Sequence, residues 1–312
     1  MSNRICWMDG AFIPERDLKI SAYDLSVAQG AAAFEMLRSF GGKHFKLQEH
    51  LQRLAQSCNL LGITLPMSLS EIEVICHAVT EQNDHGQGEE HRLMIVASPG
   101  CASIYKDIEG VINHPYVYIS DFPLRYTVAG MSWQFFNGGT AKIVPTRQMP
   151  ASCVPAITKH RSRLHFHLAQ AEAKASDVDW AFMLDERGCL AECPGANIVL
   201  VKDGQLVTPD TNCLEGISLQ TILSMAVELG MSYRRDPNIK LADLWRAKEV
   251  IVTGTPFCLL PIVEVDGLPV NEGRIGPVYQ GLLKTWSAQV GVDIAAQIRA
   301  WDLAVPEVWF AT

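Results

Sequence analysis

The chain has 312 residues, which at about 150 residues per domain predicts two domains or one large one. Apolar residues make up 48% and charged residues 19%, enough for a sizeable core and incompatible with general disorder. Twenty-six basic against thirty-four acidic side chains leave a net charge of −8, which disfavours nucleic acid and anionic membrane as partners. Any phosphate must therefore be held by a local basic site.

The nine cysteines are odd in number and scattered, and none forms a C-x-x-C pair. Several sit in apolar runs, where a thiol behaves as a small hydrophobe, so a reducing compartment is expected rather than a disulfide framework. The first ten residues lack the apolar core of a signal peptide, and no window approaches about 18 uncharged apolar residues. A soluble, cytoplasmic protein is the expectation.

In chain order, residues 4–8 and 11–14 flank Asp9-Gly10 and predict a hairpin. A small-residue run at 28–33 precedes residues 34–40, which alternate like a half-buried strand. Gly41-Gly42 turns the chain, and residues 43–47 return it. Leu47, Leu51, Leu54, Cys58 and Leu61 then fall on one helical face, which Gly62 ends. Residues 71–81 predict a second helix and 82–90 a solvent loop. Strands are expected at 92–97 and 115–120, around a loop at 98–112.

The pattern breaks at 121–128, around Pro123, which sets expected domains of 1–124 and 125–312. In the second half, strands at 180–184, 197–201 and 261–265 run into turns at 186–188, 202–204 and 266–267. Helices are expected at 164–175, with Leu164, Leu168, Ala171 and Ala175 as the core stripe, and at 218–230. On the latter, Leu219, Ile222, Leu223, Ala226 and Leu229 share a face, and Gly230 serves as C-cap. A strand is expected at 249–252. Strands mixed with a few helices predict an α+β fold in both halves.

The common phosphate-loop, dinucleotide, zinc-helix and nucleophile-elbow motifs are absent. His165 and His167 lie two apart on an expected helix and point away from each other, which does not suit a shared metal. Four features carry chemistry. Lys159 follows an apolar run, where desolvation makes a lysine nucleophilic. Glu192 lies in a small-residue turn between two strands. Leu214-Glu215-Gly216-Ile217-Ser218 opens a helix whose first N–H groups suit an anion. Thr253-Gly254-Thr255 follows a strand and presents further donors. Taken singly, each has a commoner explanation: a solvated lysine, an edge glutamate, a plain N-cap, a simple turn.

In order and spacing the four resemble the fold type IV pyridoxal-phosphate enzymes, the class-IV aminotransferases. That group includes branched-chain aminotransferases, D-amino acid transaminases and aminodeoxychorismate lyases. The resemblance runs from about residue 8 to 283. It is carried by Phe34-Glu35-Met36-Leu37-Arg38, the helix from Leu47 to Leu54 with Arg53, Lys159 through Ala173, Ala191-Glu192 to Asn197-Ile198, residues 201–209, Leu214-Glu215-Gly216-Ile217, and Thr253-Gly254-Thr255 with 261–267.

The resemblance implies a two-domain α+β fold, with a small N-terminal α/β domain and a larger strand-rich C-terminal domain carrying the cofactor lysine. It implies pyridoxal 5'-phosphate as cofactor, covalently held by Lys159, whose freed amine then moves the substrate proton. Glu192 would pair with the pyridine nitrogen. Arg53 would hold the phosphate with the Ile217 and Ser218 N–H groups and Thr255. Arg163, one turn on if a helix begins near Lys159, would reach the phenolic oxygen. Phe34, Arg38 and Tyr105, with Lys106, are the candidate substrate contacts. Phe34 stands where the D-amino acid enzymes tend to have tyrosine, and the 98–112 loop lacks their Arg-x-His pair. Thr253-Gly254-Thr255 is more similar to the branched-chain enzymes. The implied reaction is ping-pong transfer between an amino acid, possibly branched-chain, and a 2-oxo acid, by a homodimer. A carbon–nitrogen lyase of the aminodeoxychorismate type is the alternative on the same scaffold.

Overall fold

A computed structural model describes residues 4–83 and 89–304. Residues 84–88 of the polar loop expected at 82–90 lie outside them. The chain divides into two compact units, residues 1–124 with 158–163, and residues 125–157 with 164–312.

The first unit holds β1 (Ile5–Met8), β2 (Ala11–Pro14), α1 (Leu25–Ala28), β3 (Ala33–Phe40), β4 (Lys43–His44), α2 (Leu47–Leu60), α3 (Leu69–Gln82), β5 (His91–Ser98) and β6 (Tyr116–Pro123). Its six-stranded sheet runs β2-β1-β6-β5-β3-β4. Asp9 and Gly10 both take positive φ, 46° and 94°, which matches the twist of the β1–β2 hairpin. Lys46, at φ 53°, breaks the return strand after His44 and turns the chain into α2.

On one face of the sheet, Leu37, Leu93, Ile95 and Ile119 pack against Leu51, Leu54 and Cys58 of α2 and Ile72 of α3. On the other, Phe34 packs with Ala32 and Val96, flanked by Met94 and Tyr118. β3 is therefore covered on both faces, and the expected half-buried alternation is absent. The α3 start is fastened by a reciprocal cap between Ser68 and Glu71.

Residues 158–163 group with the first unit. The cofactor lysine is expected in the C-terminal domain, but its segment packs in the first unit. Phe34 N–H donates to the Lys159 carbonyl and Arg161 N–H to that of Ala32, both at 3.0 Å. The segment thus lies along the start of β3 as a short extended stretch, bridged antiparallel through Ala33 and His160.

The second unit holds α4 (Ser132–Asn137), β7 (Gly139–Ile143), α5 (Leu164–Ala175), β8 (Trp180–Phe182), β9 (Glu192–Cys193), β10 (Ala196–Lys202), β11 (Gln205–Pro209), α6 (Ile217–Glu228), β12 (Tyr233–Asp236), α7 (Leu241–Trp245), β13 (Glu249–Gly254), β14 (Cys258–Val265), β15 (Leu268–Pro269), α8 (Pro277–Val290) and α9 (Ile294–Ala304). Its sheet runs β12-β11-β10-β13-β14-β7-β8, with β9 on β10 and β15 on β14. The Asp203-Gly204 and Asp266-Gly267 turns take positive φ at both residues, as tight hairpins require.

On α5 the expected stripe is wrong. Leu164 and Leu168 are 69% and 47% exposed, whereas Ala169 and Ala173 are buried against Val144, Ala181 and Met183. Two alanines let the helix lie close on its strands, and that closeness outweighs burying the larger leucines. The α6 stripe holds through Leu219, Ile222, Leu223 and Ala226, but Leu229 lies past the helix end, 48% exposed. α8 and α9, which no sequence signal singled out, bury Tyr279, Leu282, Trp286, Ile294 and Ile298. Every cysteine is free, and all but Cys153 are buried.

Candidate active site

β3 alternates, so Glu35 faces α2 while Phe34 faces the opposite side. His50 and Arg53 lie three apart on α2 and share one face, toward Glu35. Arg53 donates Nε to Glu35 Oε1 at 2.7 Å and Nη2 to Oε2 at 2.9 Å, and His50 Nδ1 lies 2.7 Å from Oε2. Burial alone would raise the Glu35 pKa, but the Arg53 charge and then His50 outweigh it and hold the carboxyl at about 2. His50 is pushed below its ordinary value by burial, against the pull of Glu35, and the charges of Arg53 and Lys159 add to that push. Arg53, expected as a phosphate ligand, is thus fixed in orientation by a buried carboxylate.

Lys159 N–H donates to Ser57 Oγ of α2 at 3.0 Å. In an extended segment, residues 159 and 161 point to one side. Both approach the Phe34 ring, as does Arg163: Lys159 Nζ at 4.8 Å from its centroid, Arg161 Cζ at 4.2 Å and Arg163 Cζ at 5.6 Å. No helix begins near Lys159; α5 starts only at Leu164. Arg163 therefore reaches the ring from irregular chain beyond the Ala33–His160 bridge, not from the expected helical turn. Arg161 was missed, although the alternating Lys-x-Arg-x-Arg pattern after an apolar run was its signal.

Of the other expected substrate contacts, Arg38 is buried, with Cζ 3.9 Å from the Phe40 ring and Nε donating to Ser39 O at 3.2 Å. Tyr105 lies against Tyr23, ring centroids 4.5 Å apart, and Lys106 is exposed.

The second unit gathers the remaining candidates. Glu192 is 5% exposed and pairs across to Asn197. Its carboxylate accepts from Gln148 Nε2 and, at 3.3 Å, from Leu214 N–H. Asn197 Nδ2 donates to Leu214 O at 2.7 Å, tying the approach to α6 onto the same strand pair. Gly216 is the α6 N-cap and offers no side-chain cap; a Cβ there would stand 2.0 Å from Asn197 Oδ1. Ile217 and Ser218 follow, both buried. The first N–H groups of a helix have no partner within it, so this start is an uncapped, buried donor set of the kind that holds a phosphate.

Thr253 Oγ1 is turned inward onto Cys258 O at 2.7 Å, while Thr255 is half-buried at the tip. A Cβ on Gly254 would meet Gly195 O at 3.0 Å, so the two glycine turns approach backbone to backbone. Three of the four sequence features, Glu192, 214–218 and 253–255, thus form one cluster. These donors fit pyridoxal phosphate: a buried carboxylate suits a protonated ring nitrogen, and an uncapped helix start suits a phosphate.

The family model for class IV amino-transferases matches residues 32–265. A branched-chain-amino-acid aminotransferase of Pseudomonas aeruginosa is 28% identical over 295 residues, covering 90% of this chain and 91% of its own. The crystal structure of a branched-chain aminotransferase from Thermoproteus uzoniensis with norvaline superposes with a TM-score of 0.80 at 26% identity, covering 96% of this chain and 97% of that one. The branched-chain amino acid aminotransferase of Escherichia coli gives a TM-score of 0.82 at 25% identity, over 92% of this chain and 94% of that one. Another branched-chain amino acid aminotransferase, crystallised in complex with N-(5'-phosphopyridoxyl)-L-glutamate, gives 0.79 at 25% identity, over 98% and 97%.

Proposed function

This chain belongs to the class IV aminotransferases, and from that premise we propose that it exchanges amino groups between a branched-chain amino acid and a 2-oxo acid. It is a pyridoxal-phosphate-dependent transaminase, as its family and the relatives that match most of its length indicate. The observation that carries the branched-chain reading is that those relatives bear that name over about nine-tenths of the chain. Pyridoxal phosphate, when bound, supplies an electron sink for the carbanion left as the substrate Cα loses its proton.

The chain's own residues do the rest. Lys159 would hold the cofactor through Nζ, and its freed amine, beside the substrate Cα, would take up the Cα proton and hand it on. Glu192 keeps a proton at the ring nitrogen by accepting its hydrogen bond. Arg53, oriented by Glu35 and His50, binds the phosphate with the Ile217 and Ser218 N–H groups and Thr255. Arg163 binds the phenolic oxygen, and Phe34 packs against the substrate. Arg38 and Tyr105 are further substrate contacts. The working form is a homodimer, to be checked by light scattering.

A coupled assay tests the function. With 2-oxoglutarate as acceptor, leucine, isoleucine and valine are expected to be the best of a panel of L- and D-amino acids, and Lys159→Ala is expected to be inactive. Pyruvate release from an aminodeoxychorismate-like compound with no acceptor present would contradict the reading.

A further inference from the structure

Arg161 has no part in the chemistry assigned above, yet it stands two residues from Lys159 on the same aromatic ring. Its guanidinium lies 4.2 Å from the Phe34 centroid, donates Nη2 to Met94 Sδ at 3.3 Å, and hydrogen-bonds the Tyr118 hydroxyl. These partners are all neutral. Among the described residues no carboxylate pairs with Arg161.

Lys159 and Arg163 crowd the same ring, so three cations share one site in a protein whose net charge is −8. The crowding is felt by the neighbours. Burial and then the Arg161 charge lower the Arg92 pKa, and burial and then Arg163 lower that of His160. A guanidinium laid on an aromatic face, with one edge on a thioether and a phenol, is held in orientation while its remaining N–H groups suit a planar anion. Lys159 Nζ stands over the same ring, 4.8 Å from its centroid.

We infer that Arg161 is a receptor for a substrate carboxylate. The inference rests on reading Lys159 as the amine that meets the substrate Cα. The carboxylate is either the α-carboxylate that every substrate carries or the second carboxylate of a dicarboxylic acid, and the two sources predict different losses.

The test uses the full-length, cofactor-loaded protein and the Arg161→Met and Arg161→Lys variants. KM and kcat are measured for leucine with 4-methyl-2-oxopentanoate and for glutamate with 2-oxoglutarate. Calorimetry measures binding of two unreactive acids, 4-methylpentanoate and glutarate. Losing a charge-assisted pair of hydrogen bonds predicts KM and Kd about tenfold to a hundredfold higher in Arg161→Met, with kcat little changed and partial recovery in Arg161→Lys. Loss with both acids identifies the α-carboxylate; loss with glutarate and glutamate alone identifies the second carboxylate. Unchanged KM and Kd in Arg161→Met, or a wild type that binds neither acid, overturns the receptor. A wild type that binds the acids through Arg161 but transfers no amino group overturns the function proposed above and leaves the receptor standing.

Discussion

Glu35 is fully buried between a histidine and an arginine, and its ionised form is what orients Arg53. The linkage has a definite sign. Its folded pKa of about 2 lies below the ordinary 4.5, so its contribution to stability is present above the unfolded value and is lost as pH falls from about 4.5 toward 2. His50, with its pKa lowered, also loses stability as pH falls below its ordinary 6.5. Thermal melts between pH 7 and 3 are therefore expected to show Tm falling with acid. Glu35→Gln is expected to flatten the profile below pH 5 and to weaken cofactor binding; an unchanged profile would contradict the pairing.

At Glu192 the expectation is a split. Glu192→Gln keeps the shape and the hydrogen bond from Leu214 but removes the charge that favours a protonated ring. The turnover rate is expected to fall about a hundredfold, with cofactor Kd changing far less, as measured by steady-state rates and fluorescence titration. Both residues were legible in sequence as chemical candidates or as part of a matching motif. Their partners were not: Gln148 and His50 reach these carboxylates through folding, from 44 and 15 residues away. The Arg38 contact with the Phe40 ring and the Tyr105 contact with Tyr23 likewise join residues that no local pattern pairs.

Elements were read best where period and punctuation agreed. α2 shows it: Leu47, Leu51, Leu54 and Cys58 are all buried, and Gly62, at φ 68°, follows the end. Leu54 is wholly buried, and Leu54→Ala is expected to cost about 2–5 kcal/mol in a denaturation experiment. α5 was misread because periodicity weighs leucine over alanine, whereas contact distance to β7 and β8 favours the small residues. The 158–163 segment shows another limit. Local pattern carries no information about which edge an extended stretch will join, and six residues were too few to mark a return to the first unit.

The α6 start gives the element-scale prediction. A Cβ at position 216 would stand 2.0 Å from the Asn197 side chain, so Gly216→Ala must displace either that side chain or the helix start. Weaker cofactor binding is expected by titration, with a lower Tm. Gly230→Ala, where nothing lies within reach of a Cβ but φ is +75°, is expected to lower Tm without touching cofactor affinity. Equal effects of the two on affinity would argue against a phosphate at α6.

At the scale of the whole molecule, an acidic protein binds an anionic cofactor and anionic substrates by concentrating its positive charge. In the first unit that charge stands at the 159–163 segment, the Arg53 charge being paired with Glu35; in the second, the α6 start supplies backbone donors. The two-domain α+β class followed from composition and strand order, and the family from seven motifs in sequence order. Charge placement did not, since it depends on the fold bringing Lys159, Arg161 and Arg163 onto the Phe34 ring.

The most direct test of the central claim is the visible absorption spectrum of the purified protein with pyridoxal phosphate, taken before and after a branched-chain amino acid and then its 2-oxo acid. A yellow band is expected in wild type, bleached by the amino acid and restored by the oxo acid, and absent as a covalent species in Lys159→Ala. A protein that stays colourless with pyridoxal phosphate, or whose band is identical in Lys159→Ala, would contradict the assignment of Lys159 and the mechanism built on it.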